Sequence, residues 1–246
     1  MIELRHLVKR FGDLVAVDDV SLVVPRGEFF ALLGPNAAGK TTTIRILAGL
    51  VKPSSGTARV AGYDIQRDPI EARRRLAYVP DFPFLYDKLT PWEFFRFTGR
   101  LFGLEETPMR DRARALALRF HLEPYLHLPV ESLSHGTRQR VAIVSALLHE
   151  PEVFVLDEPL VGLDPQHARV LKDMLQEESR RGVTVFMSTH QLGVAEEVAN
   201  RIGIMHQGRM VAVGTREELR QLSGSDGPLE QSFLALTGET KAADRK

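Results

Sequence analysis

Phe29-Phe30-Ala31-Leu32-Leu33 runs straight into Gly34-Pro35-Asn36-Ala37-Ala38-Gly39-Lys40-Thr41, and a helical pattern follows from Thr41 to Leu47. Five consecutive apolar residues suit a strand covered on both faces, as in a parallel sheet. Gly34 and Gly39 let the loop wrap an anion with its N–H groups turned inward. The helix behind it adds the positive end of its dipole. The spacing G-x-x-x-x-G-K-[ST] between a strand and a helix is that of a loop for nucleotide phosphates. Lys40 is placed to neutralise the β- and γ-phosphates, and the Thr41 hydroxyl to coordinate Mg²⁺. Pro35, Asn36, Ala37, Ala38 and Thr42 complete the expected cradle.

Moving outward, the chain alternates strand and helix. Short β-runs occur at 2–4 and 20–24, then at 57–60 and 76–79, and again at 153–156, 184–188 and 201–205. Helical patterns occupy 69–75, 165–180 and 192–199. This alternation predicts an α/β core built on a mostly parallel sheet, preceded by an N-terminal β region. Between Phe82 and Leu148 the strand signal stops and helical periodicity appears at 91–102, 108–120 and 136–148. The expected division is a core of residues 1–81 and 151–222, an inserted helical subdomain at about 82–150, and a C-terminal linker, short helix and tail over 223–246. Eight aromatics fall between Phe82 and Phe102, enough either to fill a small subdomain core or to line an apolar groove for a partner's helix.

Composition narrows the function classes. Lys plus Arg and Asp plus Glu are both 32, so the chain lacks the basic excess of a nucleic-acid binder and no nucleic-acid partner is expected. It has no cysteine, which excludes disulfides and thiolate metal sites and agrees with a cytoplasmic protein. No apolar run approaches the ~18–20 residues that span a bilayer. The first residues lack the charged-then-apolar layout of a signal peptide. Any membrane role must then come through a partner.

Two further stretches carry chemistry. Val153-Phe154-Val155-Leu156-Asp157-Glu158 is an apolar strand ending in two carboxylates. Burial of Asp157 would require a cation or donors to offset its desolvation. Glu158 is placed to orient and deprotonate an attacking water. Leu133-Ser134-His135-Gly136-Thr137 precedes a helix, so Ser134 is a candidate N-cap. The alternative use of Ser134, the Gly136 amide and the helix dipole is to face a γ-phosphate, where charge develops during phosphoryl transfer.

Taken together and in this order, the three stretches resemble the ATP-binding cassette (ABC) ATPases, over about residues 2–215. Leu133–Thr137 resembles the family's Leu-Ser-Gly-Gly-Gln signature, which acts on a nucleotide held by another copy of the domain. The resemblance implies a P-loop NTPase core and ATP with Mg²⁺ as cofactors. It also implies a second copy or a related ATPase subunit as partner. Gly162-Leu163-Asp164 resembles the D-loop, His190 the switch histidine that contacts the γ-phosphate, and Phe11 the aromatic that stacks on adenine. Asp81 stands where the family places the Gln of its Q-loop. A carboxylate there still suits hard Mg²⁺ but cannot donate a hydrogen bond. Thr137 replaces the signature Gln and loses its reach. Ala37 replaces a common Gly, which is tolerable if its φ stays negative.

The run Leu89-Thr90-Pro91-Trp92-Glu93-Phe94-Phe95 looks most like the ATPases of the ABC-2 exporter group. The resemblance thus implies the ATPase subunit of an exporter, held at the inner face of the cell membrane by integral transporter subunits. A non-transport ABC ATPase and a P-loop small-molecule kinase are the alternatives. The former usually carries two cassettes or a long coiled coil. The latter has no need of Ser134-His135-Gly136 ahead of an Asp-Glu pair.

Overall fold

The computed structural model describes residues 1–224 and 227–238; part of the expected linker and most of the expected tail lie outside the described residues. The chain opens with a long hairpin, β1 (Ile2–Phe11) and β2 (Leu14–Val24), and continues into β3 (Phe29–Leu33). After the phosphate loop come α1 (Lys40–Leu47), β4 (Ser55–Val60), β5 (Tyr63–Asp64), α2 (Pro69–Arg74) and β6 (Leu76–Val79). Three helices follow, α3 (Pro91–Leu101), α4 (Glu106–Arg119) and α5 (His135–Leu147). The chain then alternates through β7 (Val153–Asp157), α6 (Pro165–Arg180), β8 (Thr184–Thr189), α7 (Leu192–Val198) and β9 (Arg201–His206). It closes with β10 (Arg209–Gly214), α8 (Arg216–Ser223) and α9 (Leu229–Thr237).

The strands form two sheets. An antiparallel sheet runs in the order β2-β1-β4-β5. A second runs β10-β9-β3-β8-β7-β6, parallel throughout except for β10 at one edge. β3, β7 and β8 are buried along their whole length, in keeping with the consecutive apolar residues that each carries. The first hairpin is longer than the runs at 2–4 and 20–24 suggest. His6 and Asp19 take positive φ, 48° and 52°, and the β1–β2 register shifts between Leu4 and Leu7. Each such bulge slips the inward-facing set by one residue, which hides the period of 2 from a simple reading. Phe11 ends the strand, paired with Leu14.

Residues 34–41, 157–158 and 190, expected at the nucleotide, sit at the carboxyl ends of β3, β7 and β8, where open α/β sheets place their ligands. The register puts Leu33 beside Thr189 and Asp157 beside Ser188. Adjacent strand ends thereby bring residues 34–41, 157–158 and 190 to one edge.

The segment between β6 and β7 is helical. α3 begins with a capping box between Thr90 and Glu93. Its buried residues, with those of α4 and α5, share one apolar cluster with the sheet: Phe95, Ala113, Phe120 and Val141 join Val79 and Phe154. Of the eight aromatics, only Phe95 is fully buried. Phe82, Phe84, Tyr86, Phe97 and Phe102 are exposed, Phe84 by 91%. Most of the aromatic content therefore dresses a surface. A groove of about 650 Å³ lies between α3, α5 and the end of β6, lined by Leu85, Phe94, Phe102 and His149 among others. At the C-terminal end, Leu219 of α8 and Leu229 of α9 are wholly buried with Ala31, Leu33 and Ile204. Among the described residues, no helix is long and apolar enough to cross a membrane.

Candidate functional site

The phosphate loop is shaped by close backbone approaches. A Cβ on Gly34 would sit 2.4 Å from the Met205 carbonyl oxygen, and one on Gly39 2.4 Å from that of Ala16. Gly39 also has φ 105°, a conformation that L side chains avoid. Ala37 does not meet the condition of a negative φ. It adopts φ 63°, the left-handed region, so the loop carries strain where the family commonly uses Gly. The Lys40 ammonium donates to the carbonyls of Gly34 at 2.7 Å and Pro35 at 3.1 Å. It is buried, which lowers its pKa, while Glu158 and Asp157 act in the opposite sense. A cleft of about 560 Å³ opens over this loop. Phe11, residues 36–42, Asp81 and Glu158 line it, together with Ala16, Gln207 and Gly208.

Asp157 is 1% exposed and its carboxyl is pushed up by desolvation, partly offset by the Ser188 and Thr41 hydroxyls beside it. Ser188 Oγ donates to its Oδ1 at 2.5 Å, but Oδ2 is buried with no partner. An unpaired buried carboxylate oxygen beside a threonine hydroxyl is a donor set that fits a hard divalent cation. Glu158 has φ 48°, held there by its N–H bonding to the Ser188 carbonyl at 3.2 Å and hydroxyl at 3.1 Å. Its Oε2 accepts from His190 Nδ1 at 2.9 Å and from the His190 N–H at 3.3 Å. Lys40 Nζ lies 3.8 Å from its Oε1. Asp81 is exposed and turns its Oδ1 onto the N–H of Phe82 at 2.8 Å. It lines both this cleft and the apolar groove.

Ser134 and Gly136 are elsewhere. They line a second cleft of about 320 Å³ with His135, Thr137, Arg140 and the loop from Gly162 to Asp164. Ser134 does cap α5, its Oγ accepting from the Thr137 N–H at 3.3 Å. No acidic residue occupies the first turn of α5, so its positive end is uncompensated. A Cβ on Gly136 would meet the Gly162 carbonyl oxygen at 2.6 Å. Asp164 caps α6 and lines this second cleft, accepting from the His167 N–H at 3.0 Å.

The family model for the ABC transporter matches residues 17–161, more than half of the chain and from the hairpin through the Asp-Glu pair. The chain belongs to the ABC transporter family. It is 36% identical to the probable multidrug ABC transporter ATP-binding protein YbhF of Escherichia coli (strain K12), over 96% of this chain and 41% of that one. It thus spans less than half the length of that relative. It is 35% identical to the linearmycin resistance ATP-binding protein LnrL of Bacillus subtilis (strain 168), over 98% of this chain and 77% of that one. A solved ATP-binding subunit of an ABC transporter superposes with a TM-score of 0.92 at 36% identity, covering 96% and 99% of the two chains. A dimeric ATP-binding cassette in a post-hydrolysis state, bound to ADP and Pi, superposes at 0.80 with 26% identity, covering 87% and 98%.

Within this cassette, the residues expected at the nucleotide divide into two groups. Phe11, residues 36–42, Asp81 and Glu158 share the first cleft, with Gly34, Pro35, Asp157 and His190 bonded to its members. Ser134, Gly136 and Asp164 share the second. Sequence reasoning missed Ser188, which ties Asp157 to the backbone of Glu158. Its place two residues before His190 was the available signal. It also missed Ala16, Gln207 and Gly208, which carry no chemical mark and enter the cleft only because β9 and β2 bring them there.

Proposed function

We propose that this chain is the ATP-hydrolysing subunit of a membrane exporter and works as a pair of copies around two ATP·Mg²⁺. The observation that carries this reading is the separation of its two clefts. Lys40, Glu158 and His190 gather at one, while Ser134 and Gly136 open a different one. Each cleft holds half of a phosphoryl-transfer site, and a second copy supplies the missing half.

In this reading Phe11 offers a ring to the adenine, and the loop amides with Lys40 hold the β- and γ-phosphates. Binding of phosphate would draw the Lys40 ammonium off the Gly34 and Pro35 carbonyls that now hold it. Glu158, oriented by His190, takes the proton of the attacking water. Ser134 and Gly136 of the other copy, with the positive end of α5, stabilise the charge that develops on the γ-phosphate. Thr41 and Asp157 would hold Mg²⁺, with Asp81 near them, and the ion would neutralise phosphate charge when bound. The division into a core (1–81, 151–222), an inserted helical subdomain (82–150) and a C-terminal extension follows the same reading. The aromatic-lined groove receives an apolar segment of the integral membrane subunit, which holds the chain at the inner membrane face. Asp81, lining both cleft and groove, would carry the nucleotide state to that partner. The relatives named for multidrug and linearmycin resistance support export as the direction.

The test is Glu158→Gln, which keeps the shape of the site and removes the base. With saturating ATP and Mg²⁺ it should run as a dimer on size-exclusion chromatography, whereas the native chain returns to monomer as ATP is consumed. A variant that stays monomeric both alone and with its co-purified membrane subunit would overturn the paired-site reading.

A further inference from the structure

Arg140 is buried in α5, one turn beyond Gly136. Its Nη2 donates to Thr137 Oγ1 at 3.0 Å, and Thr137 Oγ1 lies 2.9 Å from Ser134 Oγ. Its Nη1 lies 2.8 Å from His167 Nε2, and His167 Nδ1 lies 2.6 Å from Asp164 Oδ2. A guanidinium can only donate, so Nε2 of His167 must accept and its proton must sit on Nδ1, aimed at the Asp164 carboxylate. Five side chains thus form one line from the cap of α6 to the cap of α5.

We propose that His167, as the neutral Nδ1–H tautomer, is a positioning residue for ATP hydrolysis. It holds Arg140 in place, and through Arg140 and Thr137 it aims the Ser134 hydroxyl. The proposal rests on the reading that Ser134 serves a nucleotide on the other copy. It also gives Thr137 a role that its short side chain can fill. Thr137 is 4% exposed and works inside its own chain, joining the capping hydroxyl to the guanidinium.

The arrangement depends on the imidazole staying neutral. A second proton on Nε2 would set N–H against N–H across 2.8 Å and bring a cation onto the Arg140 guanidinium. The groups packed around His167 are Asp164 on its own helix, Arg140 from α5, and His121, whose ring meets it edge-on at 5.5 Å. His135 lines the same cleft, and Tyr125 lies 5.8 Å from the Arg140 guanidinium. Arg140 Nη1 also bonds the carbonyls of Phe120 at 2.7 Å and His121 at 3.2 Å, so the guanidinium survives loss of the histidine but loses its aim.

Three variants of the full chain test this: His167→Leu, His167→Gln and Ser134→Ala. Each is measured for kcat and KM with Mg·ATP, together with its melting temperature. Leucine fills the space but neither accepts nor donates. Glutamine can accept from Arg140 and donate to Asp164, as the neutral imidazole does, and does not titrate. We expect His167→Leu to lose about tenfold or more in kcat with KM and melting temperature near native, as loss of a charge-assisted contact would give. His167→Gln should recover most of that loss. Native kcat in His167→Leu, or a glutamine variant as slow as leucine, would each overturn the proposal. If Ser134→Ala hydrolyses ATP normally, the paired-site reading itself fails. If Ser134→Ala is slow while His167→Leu is not, only the positioning line fails.

Discussion

His149 forms part of the floor of the apolar groove and makes a prediction about stability and pH. Its Nε2 lies 3.2 Å from the Leu76 carbonyl, to which it donates, and its Nδ1 is buried without a partner. Phe102 stacks on the ring at 3.8 Å, with the planes 12° apart. Burial pushes its pKa down to about 4; the bond to Leu76 opposes this and the Arg112 charge adds to it. The folded chain thus favours the neutral ring, whereas the unfolded chain binds a proton near pH 6.5. The resulting stability is complete above about pH 6.5 and is lost as pH falls toward 4. At pH 5 the full gap would cost about 2 kcal/mol. The ring is only partly shielded, so about 1 kcal/mol is the better expectation. His149→Leu removes the titration and fills the space, while losing the bond to Leu76, worth about 1 kcal/mol. Urea unfolding followed by circular dichroism should show the variant less stable than native by about 1 kcal/mol at pH 7.5 and nearly equal to it at pH 5. Comparing the two proteins at each pH cancels the other titrating groups. A native-to-variant difference that is the same at both pH values, or larger at pH 5, would refute the reasoning.

Other perturbations follow from the nucleotide cleft. Ala37→Gly relieves a left-handed alanine at φ 63° and should raise stability by about 0.5–1 kcal/mol after the greater freedom of glycine in the unfolded chain is counted. Differential scanning calorimetry of the nucleotide-free chain should then show a melting temperature higher by a few degrees, and a lower one would contradict the assigned strain. Asp81→Gln restores a hydrogen-bond donor at the point shared by cleft and groove. It should change how strongly the membrane subunit stimulates hydrolysis while altering the basal rate less than threefold, and unchanged stimulation would remove Asp81 from that role.

The parts of the fold that local chemistry determines were legible in the chain. β3 and β7 announce themselves as apolar runs of four or five residues because both of their faces are covered. The phosphate loop does so because phosphate contact needs glycines and a lysine at set spacing. What escaped notice depends on partners distant in sequence. The bulges at His6 and Asp19 conceal most of the first hairpin, since each resets which residues face inward. β10 was missed because Met210-Val211-Ala212-Val213 is apolar on both faces, so the sequence hides the alternation that its burial shows. The positive φ of Ala37 contradicts the expectation for an L residue and arises from the loop around it. Ser134 was readable both as a cap and as a phosphate ligand. Only the structure shows that the cap is made and that the residue opens away from Lys40. For the aromatics of 82–102, composition could not say which rings face inward. Packing answers that Phe95 does and that most of the others do not.

The placing of Ser134 and Lys40 on different clefts has a genetic consequence. In a pair of copies, each nucleotide would meet Lys40 of one chain and Ser134 of the other. A chain crippled at Lys40 and a chain crippled at Ser134 should each be inert alone, yet a mixture should recover activity. In every mixed pair, one site collects both lesions and the other collects none. Two broken alleles in one cell would then complement each other, as they could not if a single chain held the whole site.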